Sequence, residues 1–183
     1  ASTGDTTLFG DLSLGRDYLS SGGFASSTRG CFAGGYSGSY SDVIDFVAFS
    51  TKGKATDFGN LTTDPYGGAA GSNSTRGINA GGNATSGATN IIDYVTIAST
   101  GNATDFGDLT QARGNLSGAS SSTRGVFGGG NVSGTVNTID YITIASTGDA
   151  TDFGDLTVTK EYAPAVSSGT RAVFGSGSQS SNV

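Results

Sequence analysis

The 183-residue chain has no histidine, tryptophan or methionine, a single cysteine (Cys31), two prolines and one glutamate (Glu161). Each scarcity removes a class of chemistry. Without His, Ser-His-Asp and Cys-His nucleophilic centres, imidazole metal sites and the usual general base are excluded. One Cys forms no internal disulfide. No run of eighteen apolar residues occurs, so the sequence offers no membrane-spanning helix. Nine basic residues face fifteen acidic ones for a net charge of −6, and the recurring arginines are spread along the chain. Phosphate affinity depends on clustered Lys and Arg, so nucleic acid is not an expected partner. Gly-x-Gly-x-x-Gly, phosphate-loop and nucleophile-elbow motifs are absent.

What is abundant is glycine, 32 residues, together with Ser, Thr and Asn. A glycine inside a helix costs roughly 1 kcal/mol against Ala, which disfavours helices throughout. The same phrases also recur. Arg29, Arg76, Arg124 and Arg171 are spaced 47, 48 and 47 residues apart, and Phe9, Phe58, Phe106 and Phe153 are spaced 49, 48 and 47. A period of about 47–48 residues suits a four-stranded blade or a helical pair. The residues select strands: Thr138–Ala145 is β-branched and aromatic, with Ile92–Ala98 and Val43–Phe49 as counterparts.

In the third copy the remaining strands are expected at Asn115–Ser121, Val126–Gly130 and Thr151–Val158, with a turn at Ser122-Thr123-Arg124-Gly125. The short connections fit antiparallel hairpins. Ile139 and Tyr141 on one face of the third strand, with Ile142 and Ile144 on the other, describe a strand buried on both sides, as in a blade between neighbours.

The order Val126-Phe127-Gly128-Gly129, then Asp140-Tyr141, then Phe153 resembles the Kelch repeat, with Phe58, Phe106 and Phe153 where that pattern has Trp. The stretch Ile92–Leu109 is similar to repeats in structural proteins of marine tailed bacteriophages, often tail-fibre or other virion components. The resemblance implies an all-β fold, a β-propeller of Kelch-like four-stranded antiparallel blades. It also implies a non-enzymatic virion protein at the particle surface or outside the cell. As a single repeat domain, the chain divides into a partial blade at 1–14, blades at about 15–63, 64–111 and 112–159, and a partial blade at 160–183. Three blades are complete and one lacks a strand. The chain therefore reads as a segment of a longer repeat protein, or as one whose missing strand comes from a neighbour by edge pairing.

Few residues suggest chemistry. Asp105 with Asp108, and Asp152 with Asp155, form oxygen-rich loops that are weak candidates for Ca²⁺; turn capping is the plainer reading. No cofactor is expected. Cys31 aligns with Ile78, Val126 and Val173, which makes it a core strand residue. Each repeated Arg is expected to fix a turn, by bonding to backbone carbonyls or to the Asp of a neighbouring strand (Asp45, Asp93 or Asp140). A face of four arginines binding an anion is the alternative.

The copies diverge most in the loop after the Gly-Gly pair, where Tyr36, Tyr40, Asn83 and Asn131 are candidate contacts for a host-surface carbohydrate. Other virion proteins or identical chains are the remaining expected partners. Against glycan recognition stand a purely structural, self-assembling element of a shell or filament, and a carbohydrate-active propeller enzyme. The enzyme would need an acid cluster that a single glutamate serves poorly.

Overall fold

The computed structural model describes residues 4–20 and 23–179. Among them there is no helix, and fourteen strands form antiparallel sheets. The first sheet contains β1 (Phe24–Ala25), β2 (Arg29–Ala33), β3 (Val43–Ala48) and β4 (Thr56–Asn60). The second contains β5 (Ala69–Ser72), β6 (Arg76–Ala84), β7 (Gly87–Thr96) and β8 (Thr104–Asp108). The third contains β9 (Ser117–Ser120), β10 (Arg124–Gly128), β11 (Thr138–Thr143) and β12 (Thr151–Asp155). A two-stranded sheet, β13 (Ala165–Ser167) and β14 (Ala172–Phe174), ends the array. Each four-stranded sheet is a meander in chain order. The opening Ser2-Thr3 of the first copy lies outside the described residues.

Several strands differ from their expected bounds. The turn before the second strand is shorter than Ser122–Gly125, because Arg124 and Gly125 already pair with Thr143 and Ile142. The chain reverses instead around Ser121, whose hydroxyl accepts from the N–H groups of Thr123 (3.3 Å) and Arg124 (3.1 Å). That strand ends at Gly128 because Gly129 and Gly130 turn to φ of +68° and +108°. The third strand stops at Thr143, the first occupies only Ser117–Ser120, and the fourth ends at Asp155.

Register repeats from sheet to sheet. Between third and fourth strands it slips after Ile44, Ile92 and Ile139, a bulge that leaves Phe58, Phe106 and Phe153 unpaired beside a glycine of positive φ. A bulge re-aims its side chain, and here it sends the ring into the gap before the next sheet. Phe58 is buried in one cluster with Val95 of the second sheet and Ile97 just past it; Phe106 is buried with Ile142 of the third and Ile144 just past it. The core therefore lies between sheets rather than within them. Backbone bonds join the same layers: Gly101 N–H donates to Phe58 O at 2.7 Å and Gly148 N–H to Phe106 O at 2.7 Å. The segment before the first sheet repeats this bond, with Gly53 N–H donating to Phe9 O at 3.0 Å.

The first strands of successive sheets pack side by side, β1 on β5, β5 on β9 and β9 on β13. Serine hydroxyls tie them: Ser120 Oγ donates to Ser72 O (2.9 Å) and Ser167 Oγ to Ser120 O (2.7 Å). At Phe153 the pattern stops. Its ring is 56% exposed, against 3% for Phe58 and for Phe106.

Candidate recognition surface

One segment joins the fourth strand of each sheet to the first strand of the next, and there the copies share a backbone but not side chains. Tyr18, Gly67, Asn115 and Tyr162 occupy equivalent places and all are left-handed, with φ of 51°, 62°, 58° and 55°. They form a relay: Gly67 N–H donates to Tyr18 O (2.9 Å), Asn115 N–H to Gly67 O (2.6 Å) and Tyr162 N–H to Asn115 O (2.9 Å). The preceding residue of each copy makes a bridge to the loop after the glycine pair: Asp17 to Tyr36, Tyr66 to Asn83, Gly114 to Asn131 and Glu161 to Ser178. The variable loop and the relay are thus one surface.

On this surface the tyrosines converge. Tyr66 has ring centroids of Tyr18, Tyr36 and Tyr40 at 5.8, 6.3 and 5.5 Å, and Tyr36 meets Tyr40 at 5.7 Å. Tyr18, Tyr36 and Tyr40 remain 59%, 38% and 38% exposed, so the rings form an accessible platform. Beside it runs a polar line: the Asn83 amide donates to Asn115 Oδ1 (3.2 Å), and the Asn115 amide to Glu161 Oε2 (2.8 Å). Tyr162 extends the cluster. Partial burial, then the charge of Glu161 and the nearby Tyr66 and Tyr18, raises its phenol above the usual value. Asp64 pins the adjoining hairpin by accepting from the Thr85 hydroxyl at 2.6 Å, and this bond lowers its carboxyl.

The structure thus brings Tyr36, Tyr40 and Asn83 to one surface; Asn131 is one copy further on, bridged to Gly114 beside Asn115. Sequence reasoning missed Tyr18, Tyr66, Asn115, Glu161 and Tyr162. The signal was available, because the stretch between fourth and first strands also departs from the repeat. It was obscured because neither its relay nor its bridges leave a periodic mark.

Two of the repeated arginines, Arg29 and Arg76, are latches to backbone carbonyls, one of the two kinds of partner expected. Arg29 donates to Ile97 O (3.0 Å) and Arg76 to Ile144 O (2.9 Å), each a carbonyl of the next sheet. Each guanidinium also lies 4.5 Å from the centroid of a ring on its own sheet: Arg29 over Phe46, Arg76 over Tyr94 and Arg124 over Tyr141. The pairing with Asp45, Asp93 or Asp140 is corrected. A strand-start arginine is held over the ring beside it, whereas the aspartates point to the connecting segment.

There Arg16 binds Asp45 at 2.7 Å and Arg113 binds Asp140 at 2.9 Å, all four side chains fully buried. Burial pushes the Arg113 guanidinium down, and Asp140 opposes it. Copy two has Pro65 in that place. Asp93, 2% exposed, accepts from the Thr62 hydroxyl (2.7 Å) and N–H (2.9 Å), with no ion pair among the described residues, and burial raises its carboxyl.

The acidic loops are turn caps. Asp105 Oδ1 accepts from Gly107 N–H (3.0 Å), Asp152 Oδ1 from Gly154 N–H (2.8 Å), and Asp149 Oδ1 from Asp108 N–H (3.1 Å). Among the described residues no three acidic, Cys or His side chains gather as a metal site, Asp155 included. Cys31 is buried in the first core cluster, and burial pushes its thiol up to about 11, which makes it inert as a nucleophile. No family model matches the chain, and no curated protein is significantly similar to it.

Proposed function

We propose that the sheets are blades of a Kelch-like β-propeller arc. We further propose that the protein is a non-enzymatic virion structural component, a tail fibre or surface appendage, which binds host-surface glycan through the tyrosine platform. Sheets of like register stacked through their faces, with first strands side by side, support the propeller reading. The phage reading rests on the likeness of Ile92–Leu109 to virion repeats.

The observation that carries the recognition role is backbone strain. Among the described residues the non-glycine residues of positive φ are Tyr18, Asn115 and Tyr162, and all three belong to this surface. A left-handed conformation costs a bulky L-residue about 1–2 kcal/mol, a cost copy two avoids with Gly67. Strained positions that keep large side chains point to a use for those side chains. Exposed rings beside amide and carboxylate groups suit a sugar, whose CH face stacks while its hydroxyls find donors and acceptors. Glu161 is engaged by Asn115, which suits hydrogen bonding better than acid catalysis. Linking several weak contacts on one appendage raises avidity.

The test is a glycan array with the wild type and the pair Tyr36→Ala/Tyr40→Ala, with Tyr18→Gly beside them. Binding is expected for the wild type and at least tenfold weaker in both variants, while Tyr18→Gly melts at a temperature equal to or above the wild type. A blank array with a folded wild type overturns the glycan reading. Turnover of any oligosaccharide overturns the non-enzymatic one.

A further inference from the structure

The polar line beside the tyrosine platform is seated on two glycines. A Cβ on Gly67 would come within 2.6 Å of Asn115 Oδ1, and one on Gly114 would overlap the Asn83 amide. In the other copies the place of Gly67 is taken by Tyr18, Asn115 or Tyr162, and the place of Gly114 by Asp17, Tyr66 or Glu161. Only where both side chains are missing can the two amides lie down against the backbone and link into a line that ends on Glu161.

That line has a direction. The Asn83 amide nitrogen donates to Asn115 Oδ1 at 3.2 Å, and the Asn115 amide nitrogen donates to Glu161 Oε2 at 2.8 Å. Both bonds point their donors toward the carboxylate, so the oxygen and a nitrogen hydrogen of Asn115 are used within the line. Its two ends are the Asn83 carbonyl and the Glu161 carboxylate, and both are acceptors. A ligand lying along it must bring donors.

The charge around the line has one sign. The face of an aromatic ring is negative and attracts cations, and Tyr18, Tyr36, Tyr40 and Tyr162 are all exposed. The phenol of Tyr162 is raised by burial and then by the charge of Glu161, which places that charge close to the rings. The cations of the same connecting segments are engaged elsewhere. Arg16 and Arg113 are fully buried on Asp45 and Asp140, and the Lys160 ammonium donates to Gly175 O at 3.0 Å.

We propose that the sugar recognised by this surface carries a protonated amine, an amino sugar whose nitrogen is free rather than acylated. The inference rests on the glycan reading of the platform and narrows it to one chemical class. An ammonium has three N–H donors and no acceptor, which matches what the line offers. It gains a charge-assisted bond from Glu161 and a favourable contact with the ring faces. Acylation removes the charge and two of the three donors. A uronic, sialic or sulfated sugar brings negative charge to negative ring faces and a carboxylate.

The experiment measures binding of the 183-residue chain to four immobilised oligosaccharide sets at mildly acidic pH, where a sugar amine is protonated. They are glucosamine oligomers, their N-acetylated counterparts, glucose oligomers of the same linkage, and oligogalacturonate. The glucosamine set is expected to bind at least tenfold more tightly than the other three, and less so as salt is added. Glu161→Gln keeps an oxygen for the Asn115 amide and is expected to melt near the wild type. It should weaken glucosamine binding about tenfold and leave the N-acetylated and glucose sets unchanged. Equal or tighter binding of any of the other three sets overturns the inference and leaves the glycan reading standing. So does an undiminished preference for the amine in Glu161→Gln. Absence of glucosamine binding at about 1 mM also overturns it, and the wider array then decides separately whether the platform takes any glycan.

Discussion

Replacing Arg113 by Met isolates the worth of the buried ion pair. The guanidinium is fully buried and donates to Thr138 O (3.0 Å), Phe127 O (3.2 Å) and Asp140 Oδ2 (2.9 Å). Methionine fills most of the space and supplies no donor. Asp140 keeps the Thr110 hydroxyl at 2.6 Å but loses the guanidinium paired with it, and two carbonyls lose a donor. Breaking a buried pair from one side costs about 3–5 kcal/mol, a large part of a typical total of about 5–15 kcal/mol. Removing both charges leaves no uncompensated carboxylate, so Arg113→Met with Asp140→Leu should lie within about 2 kcal/mol of the wild type. Urea unfolding followed by tyrosine fluorescence and circular dichroism measures both, with m-values compared to check that one transition is being read. A single variant within about 1 kcal/mol of the wild type, or a double variant no more stable than the single one, would refute the reasoning.

Two further predictions test the repeat itself. Phe106→Ala should cost about 3–5 kcal/mol, whereas Phe153→Ala, at 56% exposure, should cost under about 1 kcal/mol; equal costs would refute the between-sheet core. Asp93 is raised above its ordinary 3.8 by burial, so its contribution to stability is present below that value and lost as pH rises through the raised one. Pro65→Arg gives Asp93 the cation that Asp45 and Asp140 have, and should abolish that loss. An unchanged pH–stability curve would count against it.

The strand content and spacing were legible because β-branched runs and recurrent Arg and Phe are imposed by contacts that every copy must make. Phe58 and Phe106 show this: the same bulge and the same apolar neighbours recur, so the same residue recurs. Strand ends were less legible, since they depend on where a serine hydroxyl caps a turn or a glycine leaves the extended region. The partners of Asp45 and Asp140 were hidden for another reason. Arg16 and Arg113 recur in only two copies, and Pro65 and Lys160 break the series. Of the candidate surface, the loop tyrosines were visible as departures from the repeat. Tyr18 and Tyr162 were not, because what distinguishes them is a backbone angle that no residue pattern encodes for a non-glycine.

Packing and recognition follow from opposite aspects of repetition. Stacking through unlike faces means that each sheet both covers a neighbour's phenylalanine and presents its own, as the burial of Phe58 and Phe106 shows. That packing requires the very features that the copies share. Recognition demands the reverse. The relay through Tyr18, Gly67, Asn115 and Tyr162 holds four backbones alike through hydrogen bonds that involve no side chain. Those side chains take no part in the relay and differ from copy to copy, and the tyrosines, asparagines and single glutamate gather there although the left-handed backbone favours glycine. A ligand for that surface need not respect the repeat.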